Sequence, residues 1–314
     1  MVSGSIAVSL ESFARAGDSL RAVPAACQAP VRGRRCRLKP IPAPGRNGAS
    51  ATTTTRILQL SDLHPFADPE ARLFGIPTRE LLRDVLAHVQ ESGVQPDHVV
   101  VTGDHTHDER GETYAAVREL LEPFLDRLWQ LPGNHDDRAT LRSTFADRIP
   151  GAAADRINFA FDAGGWLCLG VDTHVPGEVG GRIGAEQIEW IRGQLDERRP
   201  RAAVLFMHHP PVELGLTWLD RIGLEDAHLL QDLLDEEPRI RLVCCGHVHH
   251  ESSRHVGSAE IVTVPSTGLQ FSPVSDTAQF VTAPPGYRII ELGEDGYSTW
   301  VVRLPEARYT PTQP

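Results

Sequence analysis

Five times along this chain a run of four to six mostly apolar residues breaks off into a short polar block carrying Asp, Asn or His. Residues 56–60 end in Ser61-Asp62-Leu63-His64, and 98–102 end in Gly103-Asp104. Residues 128–131 end in Pro132-Gly133-Asn134-His135-Asp136, 202–207 in His208-His209-Pro210-Pro211, and 241–245 in Gly246-His247-Val248-His249-His250. Runs of this length and β-branched content read as buried strands. Residues 166–171 and 261–264 belong to the same class.

Between these runs lie apolar stripes at helical spacing. Leu81, Leu82, Val85, Leu86 and Val89 form one, ended by Gly93; Ile188, Ile191 and Leu195 form a second, and Leu229, Leu230, Leu233 and Leu234 a third. Strand then helix, repeated, predicts an α/β fold in which helices cover a largely parallel sheet. Ligands bind such sheets beyond the carboxyl ends of the strands, where the five polar blocks fall. No internal repeat or second set of core elements occurs, so one domain is expected over residues 55–304.

The flanks differ in composition. Residues 1–50 hold eight basic side chains against Glu11 and Asp18, a net +6; since the whole chain carries −11, the remainder carries −17. That acidity argues against a nucleic-acid surface on the folded part. Residues 1–54 are expected to be a disordered basic extension, with an amphipathic targeting peptide as the alternative; no apolar segment follows the basic residues as a secretory signal requires. The Pro-rich tail, 305–314, is expected to be loose. At 40% apolar content the chain can bury a core, yet no apolar run nears the roughly 20 residues of a membrane-spanning helix. Five cysteines, three of them (Cys168, Cys244 and Cys245) inside apolar runs, argue against a disulfide framework and for a reducing, cytoplasmic setting.

Taken singly, each polar block has an ordinary reading as a helix cap, a turn or a hydrogen-bonded structural histidine. Their coincidence does not. Only 14 residues are histidine, yet His64, His135, His208, His247 and His249 all stand just after strands, accompanied by Asp62, Asp104 and Asn134. Imidazole and carboxylate donors without thiolates suit Fe, Mn, Zn or Co. Two such cations sharing one carboxylate would acidify a bridging water to hydroxide near neutral pH and hold phosphoryl oxygens during in-line attack.

In the order Asp-x-His, Gly-Asp, Gly-Asn-His-Asp, His and Gly-His-x-His, the blocks from Asp62 to His249 resemble the calcineurin-like metallophosphoesterase superfamily. The resemblance implies a four-layer αββα sandwich, two mixed sheets flanked by helices. It implies that Asp62, His64 and His249 bind one metal, that Asn134, His208 and His247 bind the other, and that Asp104 bridges them. Asn134 and His135 would contact substrate, and His135 would protonate or stabilise the leaving oxygen with Asp136 behind it. Asp108 would orient His135. The resemblance makes His208 rather than His209 the expected ligand, because the family's ligand stands two residues before the proline; His209 would support it. A departure from the family is His105-Thr106-His107 after the Gly-Asp block, where an apolar residue is common. Both imidazoles are expected near the pocket, with substrate contact left open.

The stretches Leu214-Gly215-Leu216-Thr217-Trp218-Leu219-Asp220, Gly223-Leu224-Glu225-Asp226-Ala227-His228, Val264-Pro265-Ser266-Thr267 and Ala283-Pro284-Pro285-Gly286-Tyr287-Arg288 are similar to bacterial class III 3',5'-cyclic AMP phosphodiesterases, as are Gln270 and Phe271. That resemblance implies hydrolysis of a 3',5'-cyclic nucleotide, cyclic AMP foremost, to the 5'-monophosphate, with two metal ions, an Fe and Mn pair, Mn/Mn or a Zn-containing pair. A homodimer is compatible with it. Alternatives are a broader diesterase acting on 2',3'-cyclic nucleotides or glycerophosphodiesters, and a non-catalytic scaffold with the same fold, which the complete ligand set disfavours. Trp218 and Phe271 could stack a purine, although core packing or a dimer contact is the favoured reading.

Overall fold

The computed structural model describes residues 54–152 and 155–314; the basic stretch expected to be disordered, with Cys27 and Cys36, lies outside the described residues. The first half of the described chain runs β1 (Thr55–Leu60), α1 (Thr78–Glu91), β2 (His98–Val101), α2 (Gly111–Leu120), a 3₁₀ turn (Glu122–Arg127), β3 (Leu128–Gln130) and α3 (Arg138–Thr144). The second continues with β4 (Phe159–Ala163), β5 (Trp166–Val171), α4 (Ala185–Arg198), β6 (Ala202–Met207), α5 (Thr217–Asp220), α6 (Ala227–Glu236), β7 (Ile240–Cys245), β8 (Ser253–Val256) and β9 (Ala259–Thr263). A short ribbon, β10 (Gln270–Phe271) and β11 (Phe280–Val281), precedes the hairpin β12 (Gly286–Gly293) and β13 (Gly296–Arg303).

These strands make two mixed sheets. One has the order β13-β12-β1-β2-β3, with β1, β2 and β3 parallel and β12 antiparallel to β1 at Leu58↔Ile289. The other has the order β4-β5-β6-β7-β9-β8, parallel through β5, β6, β7 and β9 and edged by antiparallel β4 and β8. Because side chains alternate across a strand, each apolar run serves two layers. Ile57, Val100 and Ile290 of the first sheet meet Cys168, Val204, Phe206 and Leu242 of the second in a core between the sheets. Their neighbours Leu58, Val99 and Ile289 face outward onto Leu82, Val85 and Val89 of α1 and Tyr114 and Val117 of α2. On the opposite side Leu167, Leu205 and Val243 meet Ile188 and Ile191 of α4 and Leu230 and Leu233 of α6. The result is the expected αββα sandwich.

Two features depart from expectation. Strand-helix alternation by itself points to one sheet where the family resemblance implies the two that are seen, because β4, β8 and β13 carry exposed positions that blur their apolar pattern. The tail after Leu304 is docked rather than loose. Thr312 N donates to Phe74 O (2.9 Å), the Gln313 side chain exchanges two hydrogen bonds with the Phe280 backbone, and Arg308 pairs with Glu80 and Asp84. Pro content made the segment look unstructured, but its backbone groups find partners on the body of the domain.

Candidate metal centre

Parallel β1, β2 and β3 end at one edge of their sheet, and β6 and β7 end at the same edge of the other, so the five polar blocks meet. Asp62 and Asp104 cross-link the first two: Asp62 N donates to Gly103 O (3.0 Å) and His64 N to Asp104 O (3.1 Å). The Asp62 carboxylate in turn accepts from His247 N at 3.0 and 3.2 Å, joining the first block to the last. Asp104 Oδ1 accepts from His135 N (2.9 Å), tying in the third.

The backbone of these blocks is unusual. Asp62, His64, Asp104, His247 and His249 have φ of 56°, 48°, 54°, 71° and 51°, the left-handed region that side-chain-bearing residues rarely adopt. Each such residue costs about 1–3 kcal/mol, and such strain gathers where geometry serves function. Space is as tight as the backbone: a Cβ at Gly133 would lie 2.2 Å from Asp104 Oδ1, and one at Gly103 would lie 2.5 Å from His208 Nδ1.

Two groups of donor atoms result. In the first, His249 Nε2 lies 3.1 Å from His64 Nε2 and 3.4 Å from Asp62 Oδ1, while His64 Nε2 is 3.3 Å from Asp104 Oδ2. In the second, Asn134 Oδ1 is 3.1 Å from His208 Nε2 and 3.0 Å from His247 Nδ1, and Asp104 Oδ2 is 3.5 Å from His208 Nε2. Asp104 therefore touches both. The structure brings together all seven side chains singled out as ligands, with every His and Asp among them essentially buried.

Hydrogen bonds on the far side of two rings set their tautomers. His208 Nδ1 donates to Thr102 O (2.7 Å) and His249 Nδ1 to Leu269 O (2.8 Å), which leaves each Nε2 lone pair aimed at other lone pairs. Acceptors facing acceptors repel unless a cation stands between them, so the donor set fits a pair of divalent or trivalent ions. Electrostatics agree. Burial, then the neighbouring His135 and His249, pushes His64 well below the usual imidazole pKa, and burial, then His209 and His208, does the same to His247. Burial also opposes ionisation of Asp62, but His249 and His208 outweigh it and lower its pKa to about 2. For His208, burial is outweighed by Asp104 and Asp62, and its pKa rises to about 9, so without a metal ion a proton on Nε2 takes the cation's place among these acceptors. The pocket thus combines ionised carboxylates with a demand for positive charge.

His209 is not part of the donor set. Its Nε2 donates to Val179 O (3.0 Å) and its Nδ1 accepts from Thr173 Oγ1 (2.8 Å), so neither nitrogen has a spare lone pair. It braces His208 and His247 by ring contact at 4.8 and 4.6 Å.

His135 lines the pocket beside Asn134, with its ring edge-on to His64 at 4.9 Å. The carboxylates expected to serve it do other work. Asp136 accepts from His105 N, His105 Nδ1, Gly133 N and Tyr114 Oη, all at 2.9–3.2 Å, and makes no bond to the His135 ring. Asp108 accepts from Ala67 N (2.8 Å) and Thr113 Oγ1 (2.6 Å), so it fastens a loop to α2 rather than orienting His135. His105 is accordingly buried as the partner of Asp136. His107 instead lies flat on His135, with centroids 4.7 Å apart and planes 22° apart, and lines the pocket. Sequence reading placed both imidazoles near the pocket but could not separate these fates.

Phe74 and Phe280, not singled out in the sequence, complete the site with Phe271. Phe74 and Phe280 close one wall with centroids 4.6 Å apart, and Phe271 lies against His249 at 3.9 Å with planes 7° apart. Trp218 is buried, donates Nε1 to Ser275 O (3.2 Å) and packs on Phe271, so neither ring is free to stack a base. The favoured reading of Trp218 and Phe271 as core residues therefore holds, and only aromaticity marked Phe74 and Phe280 in the sequence.

The calcineurin-like phosphoesterase family model matches residues 55–251. The chain is 32% identical over 250 residues to the 3',5'-cyclic adenosine monophosphate phosphodiesterase CpdA of Pseudomonas aeruginosa, covering 80% of this chain and 90% of that one. It is 29% identical over 259 residues to a 3',5'-cyclic-nucleotide phosphodiesterase of Nostoc, covering 82% and 95%. Among solved structures, a dimetal phosphatase from Danio rerio superposes with a TM-score of 0.56 at 15% identity, over 79% of this chain and 98% of that one. Yellow lupin purple acid phosphatase gives 0.55 at 14% identity, over 80% and 54%. With the family model spanning every one of the five converging blocks up to His249, this chain belongs to the calcineurin-like phosphoesterases.

Proposed function

We propose that the protein is a dinuclear-metal phosphodiesterase that opens 3',5'-cyclic AMP to 5'-AMP. The observation that carries this reading is the pair of donor groups sharing Asp104 Oδ2 at the mouth of a pocket that also holds His135. The relatives from Pseudomonas and Nostoc, both cyclic-nucleotide phosphodiesterases, supply the substrate class.

Asp62, His64 and His249 would hold one ion, Asn134, His208 and His247 the other, and Asp104 both; nitrogen and oxygen donors without thiolate favour an Fe and Mn pair, with Mn/Mn or a Zn-containing pair as variants. When bound, such a pair supplies a water acidified toward neutral pH and positive charge beside the phosphoryl oxygens. The chain's own residues do the rest. Thr102 and Leu269 carbonyls fix the tautomers of His208 and His249, so their lone pairs are oriented before substrate arrives. The hydrogen bond from His135 N to Asp104 ties the proton donor to the shared ligand, which keeps His135 in register with the reacting phosphorus. As oxygen from water joins phosphorus and the bond to O3' breaks, His135 delivers a proton to O3' and the 5'-monophosphate is left. Phe74 and Phe280 keep bulk water from one side.

The same reading takes residues 55–304 as the catalytic unit and places it in the cytoplasm, supported by Cys168, Cys244 and Cys245, which are buried and unbridged. No helix among the described residues is long and apolar enough to cross a membrane. A homodimer is supported by β13, an eight-residue edge strand whose Trp300 is among the exposed large apolar side chains. The deciding experiment is a panel of 3',5'-cyclic AMP, 2',3'-cyclic AMP and bis-p-nitrophenyl phosphate with added Mn. Preference for the first is expected; equal or better turnover of the second would replace the assignment with the broader diesterase.

A further inference from the structure

The pocket directly over the donor atoms is narrow, with a volume of about 20 Å³. Its aromatic side is closed: Phe280 stands between Phe74 and Phe271 at 4.6 and 5.6 Å, and the tail holds Phe74 and Phe280 by their backbones. The closed aromatic side directs the organic part of an ester whose phosphate sits at the metals toward the open side of the site. Next to it lies a cavity of about 780 Å³, within the roughly 300–1,000 Å³ typical of small-molecule sites. The two share Val179, Ile222 and His247.

We propose that this cavity is the subsite for the nucleoside of the substrate, entered past His247. The inference rests on the phosphodiesterase reading and adds where the organic group sits. The walls are built before ligand arrives. Gly181 N donates to Gly223 O (3.0 Å) and Glu225 N to Gly181 O (2.8 Å), which zips the loop after β5 to the segment before α6. His209 donates to Val179 O (3.0 Å), so the shared wall is anchored to the block that carries His208. Across the cavity, Leu214 N and Gly215 N donate to the Asp220 carboxylate at 2.7 and 3.0 Å and stiffen the loop after β6. The lining sets Val212 and Val248 against a larger polar surface, in which Glu178, Glu213 and the Arg182–Glu225 ion pair stand with His228 and Gln231 of α6. Gln231 is fixed by its own bond to Pro211 O (2.7 Å). Carboxylates outnumber arginines in this lining, and a net acidic wall accepts sugar hydroxyls and a base amino group while repelling a second phosphate. Since Trp218 and Phe271 are committed to the core, edge contacts from α6 take the place of base stacking.

The test is calorimetric titration of the Mn-loaded, full-length protein with 5'-AMP and with inorganic phosphate. The wild type should bind 5'-AMP at least about tenfold more tightly than phosphate. Ala227→Phe and His228→Trp, each of which fills the cavity from α6, should weaken 5'-AMP about tenfold while phosphate affinity stays within about twofold. His228 is exposed, so its variant keeps the test alive if Ala227→Phe does not fold. Equal affinity of the wild type for both ligands, or unchanged 5'-AMP affinity in folded His228→Trp, would overturn the assignment. A wild type that shows the predicted binding pattern yet leaves cyclic AMP intact would support the subsite and sink the catalytic reading.

Discussion

Asp104 carries two duties on two oxygens. Oδ2 faces His64 and His208, one from each donor group, while Oδ1 holds the backbone of His135. Asp104→Ala should therefore lower bound metal from two equivalents and abolish turnover; metal analysis showing two ions in an active variant would remove the bridging role. His135 touches the pocket but none of the donor oxygens by its ring, so His135→Ala should keep both ions and lose rate by about 10²- to 10⁴-fold. Asp136 acts on stability instead. Burial opposes its ionisation, but His105 and the hydrogen bonds from His105 and Gly133 outweigh burial and lower its pKa from 3.8 to about 2. A carboxylate with a depressed folded pKa adds stability above the unfolded value that is lost as pH falls through the folded one. The amount is on the order of 2 kcal/mol, lost between about pH 4 and pH 2. Urea unfolding of the metal-free protein should show wild type well above Asp136→Asn at pH 7, with the gap narrowing toward pH 2. A gap independent of pH would assign the difference to packing.

At the scale of elements, the site is made by how strands stop. β1, β2 and β7 each end in left-handed residues, which turn the chain sharply enough to aim Asp62, His64, Asp104, His247 and His249 inward rather than along the strand. Glycine at 103 and 133 lets the second and third blocks approach to van der Waals contact. Gly133→Ala should cost about 1–3 kcal/mol by forcing Asp104 away, and should lose metal as well as melting temperature. The tail works at the same scale. Removing residues 305–314 deletes the bonds to Phe74 and Phe280 that pin the apolar wall. A melting temperature lower by about 2–4 °C for each kcal/mol lost is expected by scanning calorimetry; an unchanged transition would mean that the docked tail contributes nothing.

Across the whole molecule, the two sheets press a shared apolar layer between them and present their carboxyl ends at one edge, so ligands from sequence positions 62 to 249 become neighbours. The cost is an edge crowded with strained backbone, buried carboxylates and facing lone pairs. Cations relieve the last two, and binding only to the folded state stabilises it. Prolonged chelation should lower the melting temperature together with activity, and Mn should restore both. Chelated protein that melts at the original temperature would show that the centre is not coupled to folding.

The order and chemistry of the blocks were legible in the sequence because strands interrupted by polar residues leave a local trace: a short apolar run and the side chain that follows it. Asp62, His64, Asp104, Asn134, His135, His208, His247 and His249 could be picked out this way, as could the stripes of α1, α4 and α6, while the family resemblance set His135 apart from the ligands and chose His208 over His209. Strands with one solvated face, such as β13, left a weaker trace. What the chain alone could not reveal depended on which nitrogen of a ring is free, which carboxylate reaches which donor, and how much room remains. Asp108 and Asp136 are adjacent to catalytic blocks in sequence, yet their oxygens are taken by Thr113, Tyr114 and His105, partners chosen by packing. His107 stacks on His135 while its near neighbour His105 is buried away from the pocket, a difference of direction that residue type does not encode. Sequence determined the donors, because chemistry is a property of residues; tertiary structure decided their roles and the cavity beside them, because direction and volume exist only after the sheets have met.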